Sequence, residues 1–202
     1  MNPLQRSDDE TRSDAARLII ESTRREIAKH GVLGVRVAEI AAGAHCSITQ
    51  IYRYFGDRAG LLVRVLGDIY DELLTATVVN FQQKIGSSGP LTIDDIVNAL
   101  PRPSIAASSG NNALRMQILA VASTNQRLQD RLTETSLRMI PIWKGIIEDM
   151  KDRLPAGAIF DDRAFTIGMV NQNTYYNQIL GEHGATDEQF LEWFRHILTA
   201  KS

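Results

Sequence analysis

The chain has 202 residues, 44% of them apolar and 23% charged, with a formal net charge of −2. That is length enough for one large or two small domains with a proper core, and the composition is that of an ordinary soluble globular protein. The charge excludes a generally basic nucleic-acid coat, so any DNA contact must come from local charge.

Taken in order, the first ten or so residues are polar and read as a loose arm. A first helix is expected from about Ser13 to His30, because Ala16, Ile19, Ile20, Thr23 and Ile27 share one helical face and Gly31 stops the pattern. Arg12, Arg17, Arg24, Arg25 and Lys29 ride mainly outside that stripe, either as a solvated face or, around Arg12, as phosphate contacts. Val37, Ile40 and Ala41, at i, i+3 and i+4, give a short second helix with a buried face. Gly43-Ala44-His45-Cys46 breaks it, and Ser47 with Gln50 three residues on has the capping-box spacing that opens a third helix. That helix turns Ile51 and Phe55 inward and leaves Ile48, Thr49, Gln50, Tyr52, Arg53 and Tyr54, mostly groups able to touch a nucleic acid. Two short helices joined by a tight turn, the second presenting such groups, read as a helix-turn-helix.

At these residues the chain resembles the TetR family of transcriptional regulators. Ile40-Ala41, Ala44-His45-Cys46-Ser47, Ile51, Tyr52, Tyr54-Phe55, Arg58 and Leu61 fill the places of the family pattern, over roughly the first third of the chain. Three positions depart from it: His45 replaces the turn glycine, Arg58 the usual lysine, and Arg36 sits where a Thr or Ser often caps the motif's first helix. Histidine is among the non-glycine residues better tolerated at positive φ, so the turn is expected to form at some cost. The arginines keep positive charge near phosphate with a different geometry.

Within the proposed reading helix, Gln50 either reads adenine with its amide or closes the capping box on Ser47. Thr49 and Ile48 suit a thymine methyl, Ile48 being alternatively a core residue, and Arg53 suits guanine or phosphate. Tyr52 and Tyr54 either bridge from the small core to a phosphate oxygen or simply pack. Ser47 is first a helix cap, and Arg36 and Arg58 complete the DNA-binding set, Arg58 as the phosphate anchor the resemblance implies. His45 beside Cys46 invites a metal, but no second His/Cys pair has zinc spacing, so turn and core roles are expected and no metal or cofactor. Cys46 is the only cysteine, which excludes an intrachain disulfide and suits a reducing cytoplasm. No apolar run reaches the length of a membrane span, and the first residues lack a signal-peptide core.

Asp57 is placed to cap a long fourth helix through Leu61, Leu62, Val65, Leu66, Ile69 and Leu73 toward Phe81, ending before Gly86 to Pro90 and forming the only rigid connection between head and body. Further helices are expected from Thr92 to Leu100, Asn112 to Asn125, Leu128 to Leu154, and Asp161 or Asp162 to Gly181; Pro141 should kink or split the third of these. Thr186 and Gln189 form a second capping box opening the last helix to about Thr199. No strand-like alternation appears. The fold class is therefore all-α, a three-helix helix-turn-helix domain in residues 1–56 followed by a helical body in 57–202. Thr11 to Arg64 carries nine Lys or Arg against five Asp or Glu, while Val65 onward carries twelve against sixteen, which suits a DNA-reading head on an acidic body.

The last two helices are apolar on more than one face, so that surface either completes a large monomer core or meets a partner. The resemblance implies a homodimer through these two helices, a palindromic operator of double-stranded DNA, repression, and release by a small-molecule effector. Asn171, Tyr175 and Tyr176 are polar and aromatic on an otherwise apolar helix, and with Met116, Met139 and Trp143 they either wall a ligand cavity or serve the dimer seam. An enzyme is not expected, because there is no Gly-x-Ser-x-Gly, phosphate-cradling glycine loop or paired metal motif. The alternative is a DNA-binding regulator without a small-molecule inducer, controlled by a protein partner or by expression level.

Overall fold

The computed structural model describes residues 3–101, 110–162, 165 and 186–199, and its regular structure is helical throughout. In chain order the helices bounded within the described residues are α1 Pro3–Gly34, α2 Val37–Gly43, α3 Ile48–Phe55, α4 Arg58–Ile85, α5 Ile93–Ala99, α6 Gly110–Ala122, α7 Gln126–Arg153 and α8 Asp187–Thr199. The all-α class expected from the sequence is what is found. The chain divides into two compact units, one of Met1–Glu72 with Leu114–Thr135 and the other of Leu73–Ala113 with Ser136–Ser202. Helices α4, α6 and α7 thus each contribute residues to both units.

In the first unit the stripe on α1 behaves as its spacing requires: Ile19, Thr23 and Ile27 are buried, Ala16 and Ile20 partly so. The helix begins at Pro3 rather than near Ser13, with proline in the first turn, where its missing N–H is no loss. Gly31 leaves helical geometry at φ 68° and ψ 172°, and a last turn continues to Gly34. Ile40 and Ala41 of α2, Ile51 of α3, and Leu61, Leu62, Val65 and Leu66 of α4 are buried, while Val37 and Phe55 are half-buried. Segments distant in sequence join this unit through specific polar contacts. Gln117 on α6 accepts from the Val32 N–H at 2.8 Å. Arg131 on α7 pairs with Asp71, which also accepts from the Thr135 hydroxyl, and Arg131 lies 3.7 Å from Asp68.

The second unit is centred on an aromatic cluster, with Phe81 of α4 against Trp143 of α7 at 5.6 Å and against Phe165 at 5.7 Å between ring centroids. Ile96, Val97, Met150, Phe190, Phe194 and Leu198 complete a continuous core with them. Fully burying one such aromatic contributes roughly 1.5–3 kcal/mol. Thr92 and Asp95 close a capping box at the start of α5, and Thr186 and Gln189 make the expected reciprocal pair before α8. Arg153 fixes the loop after α4 by donating to the carbonyls of Ile85, Gly86 and Gly89 at 2.9, 3.0 and 2.8 Å. Pro141 does not split α7, which is one helix from Gln126 to Arg153. Proline deprives the Leu137 carbonyl of its intrahelical donor, but Leu137 is 60% exposed, so water can take that place. The helix expected from Asp161 or Asp162 to Gly181 lies, apart from Asp161, Asp162 and Phe165, outside the described residues.

Candidate nucleic-acid interface

The site is assembled by the end of α2, a four-residue turn and α3. The α2 terminus is a Schellman motif: the His45 N–H bonds the Ala42 carbonyl at 3.2 Å and the Cys46 N–H bonds the Ala41 carbonyl at 3.0 Å. His45 takes the left-handed position of that motif, φ 52°, where the family pattern has glycine. Holding a side chain there costs about 1–2 kcal/mol relative to an ordinary helical conformation, so the turn forms at the expected expense. Burial pushes the Cys46 thiol up from its ordinary range, which keeps it protonated and suits a packing role. No group of three or more His, Cys, Asp or Glu able to hold a metal occurs among the described residues.

Ser47 opens α3 from extended backbone, φ −87° and ψ 155°. Its hydroxyl accepts from the Gln50 N–H at 3.1 Å, and the Gln50 side-chain Oε1 accepts from the Ser47 N–H at 3.0 Å. Of the two readings of Gln50 the capping box is therefore present. The rest of α3 divides by helical periodicity, with Ile51 fully buried and Ile48, Thr49, Gln50, Tyr52 and Arg53 exposed. Ile48 is 41% exposed and so is not a core residue in this structure. Tyr54 is half-buried, and the Arg53 guanidinium lies 5.3 Å over its ring, near enough for a cation–π contact.

Two close approaches set the angles of these helices. A Cβ on Gly43 would stand 2.5 Å from Ser22 Oγ, and that hydroxyl, buried on α1, bonds the Ile40 carbonyl at 3.0 Å. A Cβ on Gly60 would fall 2.0 Å from the Phe55 carbonyl oxygen, so α4 can follow α3 this tightly only with glycine there. Asp57 caps α4 through the Gly60 N–H, as its position suggested, and its other oxygen lies 3.4 Å from Arg127.

Charge is distributed unevenly within the unit. Arg17, Arg24, Arg64, Arg127 and Arg131 face carboxylates; Arg24 holds Glu72 with both amino groups at 2.7 and 2.8 Å. Arg36, Arg53 and Arg58 are exposed and form no ion pair among the described residues. Arg58, at the start of α4, donates to the Val35 carbonyl at 3.3 Å, and Arg36 precedes α2 without capping it. Sequence reasoning gave Arg25 no part in the motif, yet it donates to the Gly43 carbonyl at 3.0 Å; no periodicity signals a contact across eighteen residues. The Arg12 side chain lies outside those described.

Of the six residues considered for a ligand, three lie among the described residues. Met116 is exposed on α6 in the first unit, whereas Met139 and Trp143 pack on the core of the second; Asn171, Tyr175 and Tyr176 lie outside the described residues. A shallow cavity of about 430 Å³ in the second unit is lined instead by Gln82, Ile85, Ser87, Pro141, Ile142 and Asp149, among others.

A buried α2 face, a capped turn and an exposed polar α3 define a helix-turn-helix on an all-helical chain. Residues 19–65 match the sequence profile of bacterial regulatory proteins of the tetR family, so this segment is a TetR-type DNA-binding domain. No curated protein matches the sequence significantly. Among solved structures, the chain is similar to the multidrug binding protein EbrR complexed with imidazole, at 15% identity, 93% coverage of this chain, 96% of that one and a TM-score of 0.61. It is similar also to a TetR family transcription regulator from Marinobacter aquaeolei, with 17% identity, coverage of 98% and 99% and a TM-score of 0.54. The transcriptional regulator FadR from Bacillus subtilis in complex with stearoyl-CoA gives 17% identity, coverage of 91% and 97% and a TM-score of 0.53. These likenesses extend the TetR fold over nearly the whole chain. At 15–17% identity they show a shared fold, and the family match itself is confined to residues 19–65.

Proposed function

We propose that the protein is a homodimeric cytoplasmic repressor that binds a palindromic operator and is released by a small molecule acting on its helical body. The observation that carries the DNA reading is the exposed face of α3, bordered by three arginines without ion pairs among the described residues. Ile48, Thr49 and Gln50 would face base edges; Ser47, Tyr52, Tyr54, Arg36, Arg53 and Arg58 would hold phosphate. Two copies related by a twofold axis would read an inverted repeat. Leu191 and Ile197 of α8 stay half-exposed while Phe190, Phe194 and Leu198 fill the core, which leaves part of that helix for a partner subunit. No described helix is long and apolar enough to cross a membrane. Support for an effector comes from the similar proteins solved with imidazole and with stearoyl-CoA. In this chain, Met139 and Trp143, with Asn171, Tyr175 and Tyr176, are the residues we assign to its wall.

Operator selection from a random DNA pool tests the proposal. Tyr52→Ala should weaken binding to the selected site by roughly 1–3 kcal/mol, with the dimer intact by sedimentation. Unchanged affinity in that variant, or selection of no sequence, removes α3 as the reading helix. Thermal shifts across a metabolite library test release: a compound that both stabilises the protein and frees the DNA supports the effector.

A further inference from the structure

We infer that Gln50 reads its base through the amide NH2 alone, and therefore favours guanine over adenine. The inference rests on the proposed DNA reading and concerns what one of its residues can recognise. Ser47 N–H is a donor, so the Gln50 atom 3.0 Å from it must be the amide oxygen. The reciprocal bond, Gln50 N–H to Ser47 Oγ at 3.1 Å, locks the same turn from the other side. Oε1 accepts from the Ser47 N–H at 3.0 Å and from the Ser47 hydroxyl at 3.4 Å, so both its lone pairs are turned back to the helix start and the exposed Gln50 side chain offers DNA only the two hydrogens of Nε2. Adenine presents an acceptor, N7, beside a donor, the 6-amino group, and a glutamine pairs with both only when its oxygen is free. Guanine presents two neighbouring acceptors, N7 and O6, which the two hydrogens of one amide nitrogen can meet while the box stays closed. Reaching adenine in the paired manner would take Oε1 from Ser47 and leave an amide at the head of α3 without its partner. The cap thus acts as a specificity device, presenting one half of the amide and withholding the other.

The informative variant is Gln50→Glu. Glutamate closes the same box with one carboxylate oxygen, so the helix keeps its start, while the second oxygen turns the exposed group from donor to acceptor. Full-length wild type and Gln50→Glu are each used to select sites from a random pool, with circular dichroism confirming that both are folded. The expected result is one position, with its symmetry mate, that changes from guanine to cytosine, whose amino group donates. Replacing that guanine by 7-deazaguanine should weaken the wild type about tenfold. The inference is overturned if the position that answers to Gln50 is adenine and an analogue lacking the 6-amino group binds about tenfold more weakly, because the box must then have opened. It is overturned equally if the two proteins select the same site, although DNA reading by the motif would stand. Selection of no site by the wild type would remove the DNA reading itself, and the inference with it.

Discussion

Arg36→Thr separates what the head needs for folding from what it needs for DNA. Arg36 occupies the N-cap of α2 in extended backbone, φ −114° and ψ 129°, the conformation an N-cap requires, yet its side chain makes no capping bond. Glu39 stands at the third helical position, so threonine at 36 would complete Thr-x-x-Glu and satisfy amides now without a side-chain acceptor. A cap of this kind stabilises by about 1 kcal/mol, which for a protein of this size raises the melting midpoint by about 2–4 °C. The same substitution removes an exposed cation that has no ion pair among the described residues. If Arg36 rests on a phosphate, the slope of log K against log salt should fall by about 0.9 per contact, and so by about 1.8 for a dimer. Urea unfolding followed by circular dichroism reads the first effect and fluorescence anisotropy on operator DNA over a salt series reads the second. Arg36→Ala is the control, expected to lose the slope without gaining the stability. An unchanged slope in both variants would refute the phosphate assignment, and no gain in stability from threonine would refute the account of the cap.

Gly43→Ala should destabilise the head by about 1–3 kcal/mol, because the new methyl displaces a buried hydroxyl that cannot turn away without breaking its bond to Ile40. In Ser22→Ala/Gly43→Ala the nearest atom becomes the residue 22 Cβ at 3.6 Å, so the double variant should be more stable than Gly43→Ala; additive losses in urea unfolding would show that the contact does not limit the packing. His45→Gly should stabilise by about 1 kcal/mol by relieving the left-handed backbone at φ 52°, with operator affinity unchanged. Asp95 is held below the ordinary carboxylate value of 3.8 by bonds from the Thr92 hydroxyl and N–H. A depressed folded pKa means that this stabilisation is fully present above about pH 4 and disappears as pH falls through the folded value. Asp95→Asn should therefore flatten the acid limb of stability, and an acid limb identical to wild type would count against the cap.

The features legible in the sequence are those made by neighbours in the chain. Ser47 with Gln50, Thr186 with Gln189 and Asp57 with Gly60 are pairs three residues apart, and spacing alone announces a cap. The strained turn was legible for the same reason, since a single position decides the sign of φ. The start of α1 was not, because a polar segment without an apolar stripe gives periodicity nothing to register. Nor was the continuity of α7 through Pro141, which depends on which side of the helix meets solvent. Trp143 shows the same limit from the other direction: a large aromatic suits a cavity wall and a core equally well, and its packing on Phe81 is a contact between distant segments. The attachment of Arg127 and Arg131 to Asp57 and Asp71 spans at least sixty residues and carries no local signal at all.

Under the proposed DNA reading, the arrangement of arginines accounts for a nucleic-acid surface on a chain of net charge −2. A guanidinium beside a carboxylate contributes little field beyond a Debye length of about 8 Å at physiological salt, because the pair is nearly neutral at that distance. Arg17, Arg24, Arg64, Arg127 and Arg131 are of this kind. They add to the basic count of the N-terminal segment, or in the last two cases to that of the remainder, without adding to an attraction for DNA. The cations that do add to it are those without such partners, and Arg36, Arg53 and Arg58 occupy the start of α2, the exposed side of α3 and the start of α4. Net charge by segment singles out the N-terminal third of the chain, but the fold decides which charges are left unpaired by pairing the others.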